Sequence, residues 1–113
     1  MSAVESLPYQ PFSVTVVADR RQVVMVPQGE LDLSAVDELD REVRELRGGG
    51  FDQIVVDLRG LEFLDPSGLR LLLSLRNDAK RDGHSLELVP GPSPVQRIFE
   101  LTATSSLFEW RDS

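Results

Sequence analysis

The sequence contains no cysteine and a single histidine, His84. The first absence removes a disulfide scaffold, a thiolate metal site and a cysteine nucleophile together. The second removes a polyhistidine zinc site and leaves at most one imidazole for acid–base work, so no metal or other cofactor is expected. No run approaches the ~20 apolar residues that cross a bilayer. Met1 to Pro11 carries Glu5 and two prolines but no basic head before an apolar segment, so it does not read as a secretory leader. A cytoplasmic chain without a membrane partner is the expectation. Basic residues are outnumbered as well: 12 Lys and Arg stand against 19 Asp and Glu, a formal net charge of −7. Long-range repulsion makes a phosphate backbone a poor partner and a basic protein surface a better one.

What remains is enough for one domain. The 113 residues have room for a single core, burying roughly two-thirds of the surface the unfolded chain exposes. Hydrophobic residues at 41% and charged residues at 27% argue against disorder from end to end. Residues 1–11 are small, polar and proline-punctuated and read as a loose leader. The domain is expected over 12–110, with 111–113 as a tail.

Hydrophobic periodicity sets the elements. Phe12, Val14 and Val16 alternate with Ser13 and Thr15, as in a half-buried strand. Val23 to Val26 resumes after a polar turn as an antiparallel partner, which should end, bulge or lie at an edge at Pro27. Ser34 is the expected cap of a helix whose inner face is Val36, Leu39, Val43 and Leu46. Asp37–Arg41 and Asp40–Arg44 are acid-to-base pairs four apart on its outer side. Gly48 to Gly50 ends it. The apolar run at Ile54-Val55-Val56 suits a strand covered on both faces. A leucine-dense helix is expected over Leu69–Arg81, a strand at Leu86–Val89, and a short helix capped by Ser93 with Gln96 completing a capping box. Leu107 to Trp110 closes the order as a last strand. The alternation predicts a single α/β domain, with a mixed, mostly parallel sheet of about five strands and an N-terminal antiparallel hairpin.

Ligands and partners of open α/β sheets gather at the carboxyl ends of strands. Three segments reach such positions: Gly29-Glu30-Leu31-Asp32, Asp57 with Leu58-Arg59-Gly60, and Phe63-Leu64-Asp65-Pro66-Ser67-Gly68. In the last, Asp65 can cap the leucine helix, Pro66 suits its first position, and the Ser67 hydroxyl points out among backbone N–H groups that favour an anion such as a phosphoryl group. Spacing alone favours the plainer account, a well-made helix start with no further role. Asp57 is assigned a structural role first, paired locally with Arg59. His84 is expected to be exposed and idle.

Taken together, Gly29-Glu30-Leu31-Asp32, the Val55-Val56-Asp57-Leu58 strand and Phe63-Leu64-Asp65-Pro66-Ser67-Gly68-Leu69 resemble the STAS domain. More narrowly, they are similar to the stand-alone bacterial anti-sigma factor antagonists, from about Phe12 to Trp110. In that family the antagonist binds an anti-sigma factor that is also a serine kinase of the histidine-kinase-like ATPase fold. The kinase phosphorylates a serine at a helix start, and a PP2C-type phosphatase reverses the reaction. The unmodified antagonist sequesters the anti-sigma factor and frees the sigma factor. The resemblance implies that Ser67 is the phosphoacceptor and that Asp32, Asp65, Gly68 and Glu30 contribute to the partner surface. The common family pattern has a serine before the acceptor; this chain has Pro66, which leaves one hydroxyl.

Two enzyme-like alternatives fare worse. A serine hydrolase would need a base near Ser67, yet His84 is separated from it by about 25 Å along a continuous helix. No Gly-x-Ser-x-Gly elbow surrounds the serine either. A phospho-aspartate receiver would need a lysine after a late strand, and the single lysine, Lys80, falls inside a helix. The chain is therefore not expected to be an enzyme. The remaining rival is a STAS module without a switch, serving as a scaffold or as the soluble partner of a transport complex.

Overall fold

Valines alternate through both opening segments and zip them into a hairpin. β1 (Ser13–Asp19) runs antiparallel to β2 (Gln22–Leu31), from Ser13 opposite Gln28 to Asp19 opposite Gln22. The computed structural model describes residues 12–112, so the leader expected at 1–11 falls outside the described residues. Phe12, Val14 and Val16 turn toward the core, as the alternation requires. The chain continues through α1 (Leu33–Gly48), β3 (Gln53–Asp57), a 3-10 turn at Leu58–Gly60 and β4 (Leu61–Leu64). It then forms α2 (Pro66–Asp82), β5 (Ser85–Val89), α3 (Ser93–Leu101), a second 3-10 turn at Ser105–Leu107 and β6 (Glu109–Trp110). The sheet order is β1-β2-β3-β5-β6, with β4 also paired to β2, and every pairing after the hairpin is parallel. This is the mixed α/β sheet expected from the sequence, with β4 added where a connection was anticipated.

The long strand β2 explains the addition. Gln22 to Met25 lie beside β3, whereas Gly29 to Leu31 lie beside β4. β3 and β4 therefore behave as one interrupted strand along β2, with Leu58–Gly60 as the excursion between them. Pro27 falls where β2 has no parallel neighbour, so its missing N–H costs no bond on that side. The strand passes through Pro27 rather than ending there, still paired to Val14 of β1. Gly60 packs tightly against this stretch: a Cβ on it would lie 2.9 Å from the Pro27 carbonyl oxygen.

Asp57 holds the excursion in place. It is 6% exposed, and its carboxylate accepts the Arg59 backbone N–H at 3.0 Å and the Arg59 Nη2 at 2.7 Å. The structural role expected for Asp57 is the one it has.

Helix starts differ from the sequence reading in two places. α1 is capped by Asp32, which accepts the Ser34 backbone N–H at 3.0 Å, so Ser34 lies inside the helix. An aspartate two residues upstream outcompetes the serine because its carboxylate also takes the Ser34 hydroxyl, at 2.6 Å. α3 begins one residue early, with Pro92 at the cap position and no side-chain cap bond. Gln96 reaches back to the Gly91 N–H at 2.8 Å in place of the expected capping box with Ser93. On α1, Asp40–Arg44 forms at 3.0 Å, and Asp37–Arg41 is not among the ion pairs of the described residues.

The core joins Leu39 and Val43 of α1, Leu72 and Leu75 of α2, and Met25, Ile54, Val56 and Leu88 of the sheet. Phe99, Phe108 and Trp110 close one end with edge-on contacts, centroids 5.4 Å apart for Phe99–Phe108 and 5.1 Å for Phe99–Trp110. His84 is half-buried rather than exposed, and its Nδ1 is buried without a partner among the described residues.

The Arg59 hydrogen bond is the main reason the Asp57 carboxyl titrates below the ordinary aspartate value of 3.8. A carboxylate depressed on folding stabilises the fold above its unfolded value and loses that contribution as pH falls through its folded one. Asp57→Asn is therefore expected to cost about 1–3 kcal/mol at neutral pH. The penalty should shrink below the ordinary aspartate range. Urea unfolding of both proteins at several pH values checks this; a penalty independent of pH would contradict it.

Candidate functional site

β2 and β4 end side by side, with Leu31 opposite Leu64. The next residue in each chain segment is an aspartate, Asp32 or Asp65, and each caps the helix that departs. Asp65 accepts the Gly68 N–H at 2.9 Å, and its own N–H donates to the Leu31 carbonyl at 3.3 Å. Two helix starts, with their positive dipole ends, therefore share one edge of the sheet. The Ser34 hydroxyl bond is the largest influence lowering the Asp32 pKa, so this carboxyl stays ionised through the whole neutral range.

Ser67 is the second residue of α2 and is half-buried, less open than the sequence suggested. Pro66 fills the first helical position and has no N–H. Gly68 N–H is taken by Asp65, and Leu69 N–H by the Asp65 carbonyl at 3.0 Å. The Ser67 N–H is the first-turn donor left without a protein acceptor among the described residues. The cluster of free donors expected from the sequence is thus reduced to one.

Gly68 belongs beneath the site, not on its surface. It is buried, and a Cβ there would lie 2.5 Å from the Leu31 carbonyl oxygen and 2.7 Å from Leu64 Cδ1. Its part is to let α2 approach the end of β2. Glu30 is exposed on β2, paired in register with Phe63 of β4. Asp32, Asp65, Ser67 and Glu30 are thus brought to one edge. Asp57 lies away from it, at the end of β3, behind the Leu58–Gly60 excursion. Ser67 lies in the first turn of α2, whereas His84 lies beyond its far end, after Gly83.

Sequence reasoning missed the apolar part of this surface. Leu33, next to Asp32, is 75% exposed; Phe63 is 44% exposed and Leu101, at the end of α3, 71%. Leu101 had a signal: it continues α3 off the inner face formed by Val95, Ile98 and Phe99. Among the described residues, no group of acidic or histidine side chains is arranged to hold a metal, and no helix is long and apolar enough to cross a membrane.

An antiparallel hairpin, then helices alternating with parallel strands, and two capped helix starts at one sheet edge define a small α/β module with a mixed sheet. Residues 14–108 match the family model described as "Mlab, STAS domain", and the chain belongs to the STAS-domain family. It is similar to the anti-sigma-B factor antagonist of Staphylococcus aureus, with 28% identity over 79 residues, 70% of this chain and 73% of that one. Its fold is similar to that of a putative anti-sigma factor antagonist from Thermotoga maritima, at TM-score 0.78 and 20% identity over 90% of this chain and 86% of that one. It is also similar to SpoIIAA, an anti-sigma factor antagonist, in its unphosphorylated form, at TM-score 0.74 and 22% identity, covering 91% and 88%. The phosphorylated form of the Bacillus cell fate determinant SpoIIAA matches at TM-score 0.69 and 21% identity, covering 91% of each chain.

The close approach at Gly68 makes a testable demand. Gly68→Ala is expected to destabilise the domain by about 1–3 kcal/mol, because the added methyl meets the Leu31 backbone carbonyl as well as the buried Leu64 side chain. Asp65→Ala should cost ~1 kcal/mol through loss of the cap, and Asp65→Asn much less. Chemical unfolding of the three variants measures this, and a neutral Gly68→Ala would refute the packing account.

Proposed function

We propose that this chain is a cytoplasmic anti-sigma factor antagonist acting by partner switching, with its folding unit at 12–110. Unphosphorylated, it binds and sequesters an anti-sigma factor that is also a serine kinase of the histidine-kinase-like ATPase fold. Phosphorylation at Ser67 releases that partner, and a PP2C-type phosphatase restores the binding form. The chain has no catalytic role of its own in this reading. The observation that carries it is a hydroxyl in the first turn of α2, at the sheet edge where the Asp32 and Asp65 caps meet. The similarity to the anti-sigma-B factor antagonist, and to SpoIIAA in two phosphorylation states, supports the assignment.

Phosphorylation adds roughly −1.5 to −2 charges at neutral pH. Within the domain the charge meets one free N–H and two positive helix ends, and it also meets Asp32 and Asp65. Across an interface the partner would have to desolvate it. A loss of ~3 kcal/mol weakens binding more than about a hundredfold.

Calorimetric titration against the cognate kinase with nucleotide present is the test. Unmodified protein and Ser67→Ala are expected to bind, whereas phosphorylated protein and Ser67→Asp should bind at least about a hundredfold more weakly while keeping their thermal midpoint. Equal binding of phosphorylated and unmodified protein would favour a STAS module that does not switch.

A further inference from the structure

Beside Ser67 the surface opens into a groove of about 400 Å³ between α2 and α3, lined by Pro66, Leu69, Leu73, Ile98 and Leu101, with Arg70 at its rim. Pro66 and Arg70 place it against the same first turns of α2 that carry the serine. Leu101 projects from it at 71% exposed. Arg70 is exposed and enters none of the ion pairs among the described residues. Among the described residues Arg70 is therefore a cation at the groove's rim that is open to an incoming carboxylate.

We infer that this groove is the apolar anchor of the partner interface, and that it receives an amphipathic helix of the anti-sigma factor carrying aliphatic side chains and a carboxylate facing Arg70. The inference rests on the partner-switching reading and adds what holds the partner once it has docked. Acidic groups at Glu30, Asp32 and Asp65 steer encounter and speed association. Binding energy concentrates instead in the few side chains that lose water in well-packed pockets near the centre of a contact. Occupancy of the groove also couples the two parts of the surface, because a helix seated over Pro66 lies beside the Ser67 hydroxyl. A second copy of this chain is a poorer occupant, since two molecules of charge −7 repel. An acyl chain would leave Arg70 without a reason to stand at that rim unless a headgroup acid reached it.

The test uses the purified kinase of the Ser67 titration. Leu101→Asp is expected to lower affinity about tenfold or more with an unchanged thermal midpoint, and Leu101→Ala to lower it less. Arg70→Glu should also weaken binding. Because the chain lacks cysteine, Leu101→Cys takes a single environment-sensitive fluorophore, whose emission should shift to the blue when the kinase is added. Wild-type affinity in Leu101→Asp and Arg70→Glu, with binding still abolished by Ser67 phosphorylation, would overturn the groove and leave the switch standing. Failure of wild-type protein to bind the kinase at all would sink both. Two further outcomes would overturn the assigned occupant: self-association that Leu101→Asp abolishes, or an emission shift produced by oleate and not by the kinase.

Discussion

The first turn of α2 is pressed against the end of β2, and the rest of the site follows from that contact. Gly68 has no Cβ, so the helix can start where any other residue would run into the Leu31 carbonyl oxygen. The Asp65 N–H donates to that same carbonyl. Once α2 is fixed to Leu31, Asp65 stands near Asp32, which follows Leu31 in the chain. Asp32 in turn sets the start of α1. A displacement at Gly68 would therefore move the serine, both acidic caps and the entrance to the groove as one unit.

This contact depends on an irregular sheet. β2 must run long enough to meet β3 with one half and β4 with the other, and the chain must leave the sheet between them. Three local features serve that departure: Pro27 without an N–H, Gly60 without a Cβ, and the buried Asp57 tied to Arg59. The register shift between Gly29 and Glu30 then brings Leu31 opposite Leu64. Each feature looks unremarkable in the sequence, and together they deliver two strand ends to one edge.

The main elements were legible for this reason: the hairpin and the three helices repeat their apolar residues over turns or alternations, and the strands at 53–57 and 85–89 are short apolar runs bounded by polar turns. β4 was not, because Leu61-Glu62-Phe63-Leu64 is only four residues long and its pairing is set by a strand thirty residues earlier. Asp65, Pro66 and Ser67 could be placed because capping is local chemistry. The cap of α1 could not: the local pattern pointed to Ser34, and only the fold shows that Asp32, two positions earlier, bonds the backbone. Gly68 needed tertiary information, because it is buried by a distant strand, whereas the exposure of Leu101 follows from its helical phase off the inner face of α3.

The charges at the site decide what a phosphoryl group on Ser67 would do. Each helix start favours an anion by about 0.3–1 kcal/mol. Asp32 and Asp65 oppose it by amounts of the same order at a solvated surface. Pro66 withholds one N–H and Asp65 occupies another, so the phosphoryl group meets a single free backbone donor in the first turn. On the proposed reading, the folded domain would thereby be left nearly indifferent to the modification. An acceptor held by many donors would be stabilised when phosphorylated and slow to return; one crowded only by acids would strain the helix start. In the proposed switch, a near balance would let the free-energy difference fall on the complex with the partner, which would have to desolvate the charge.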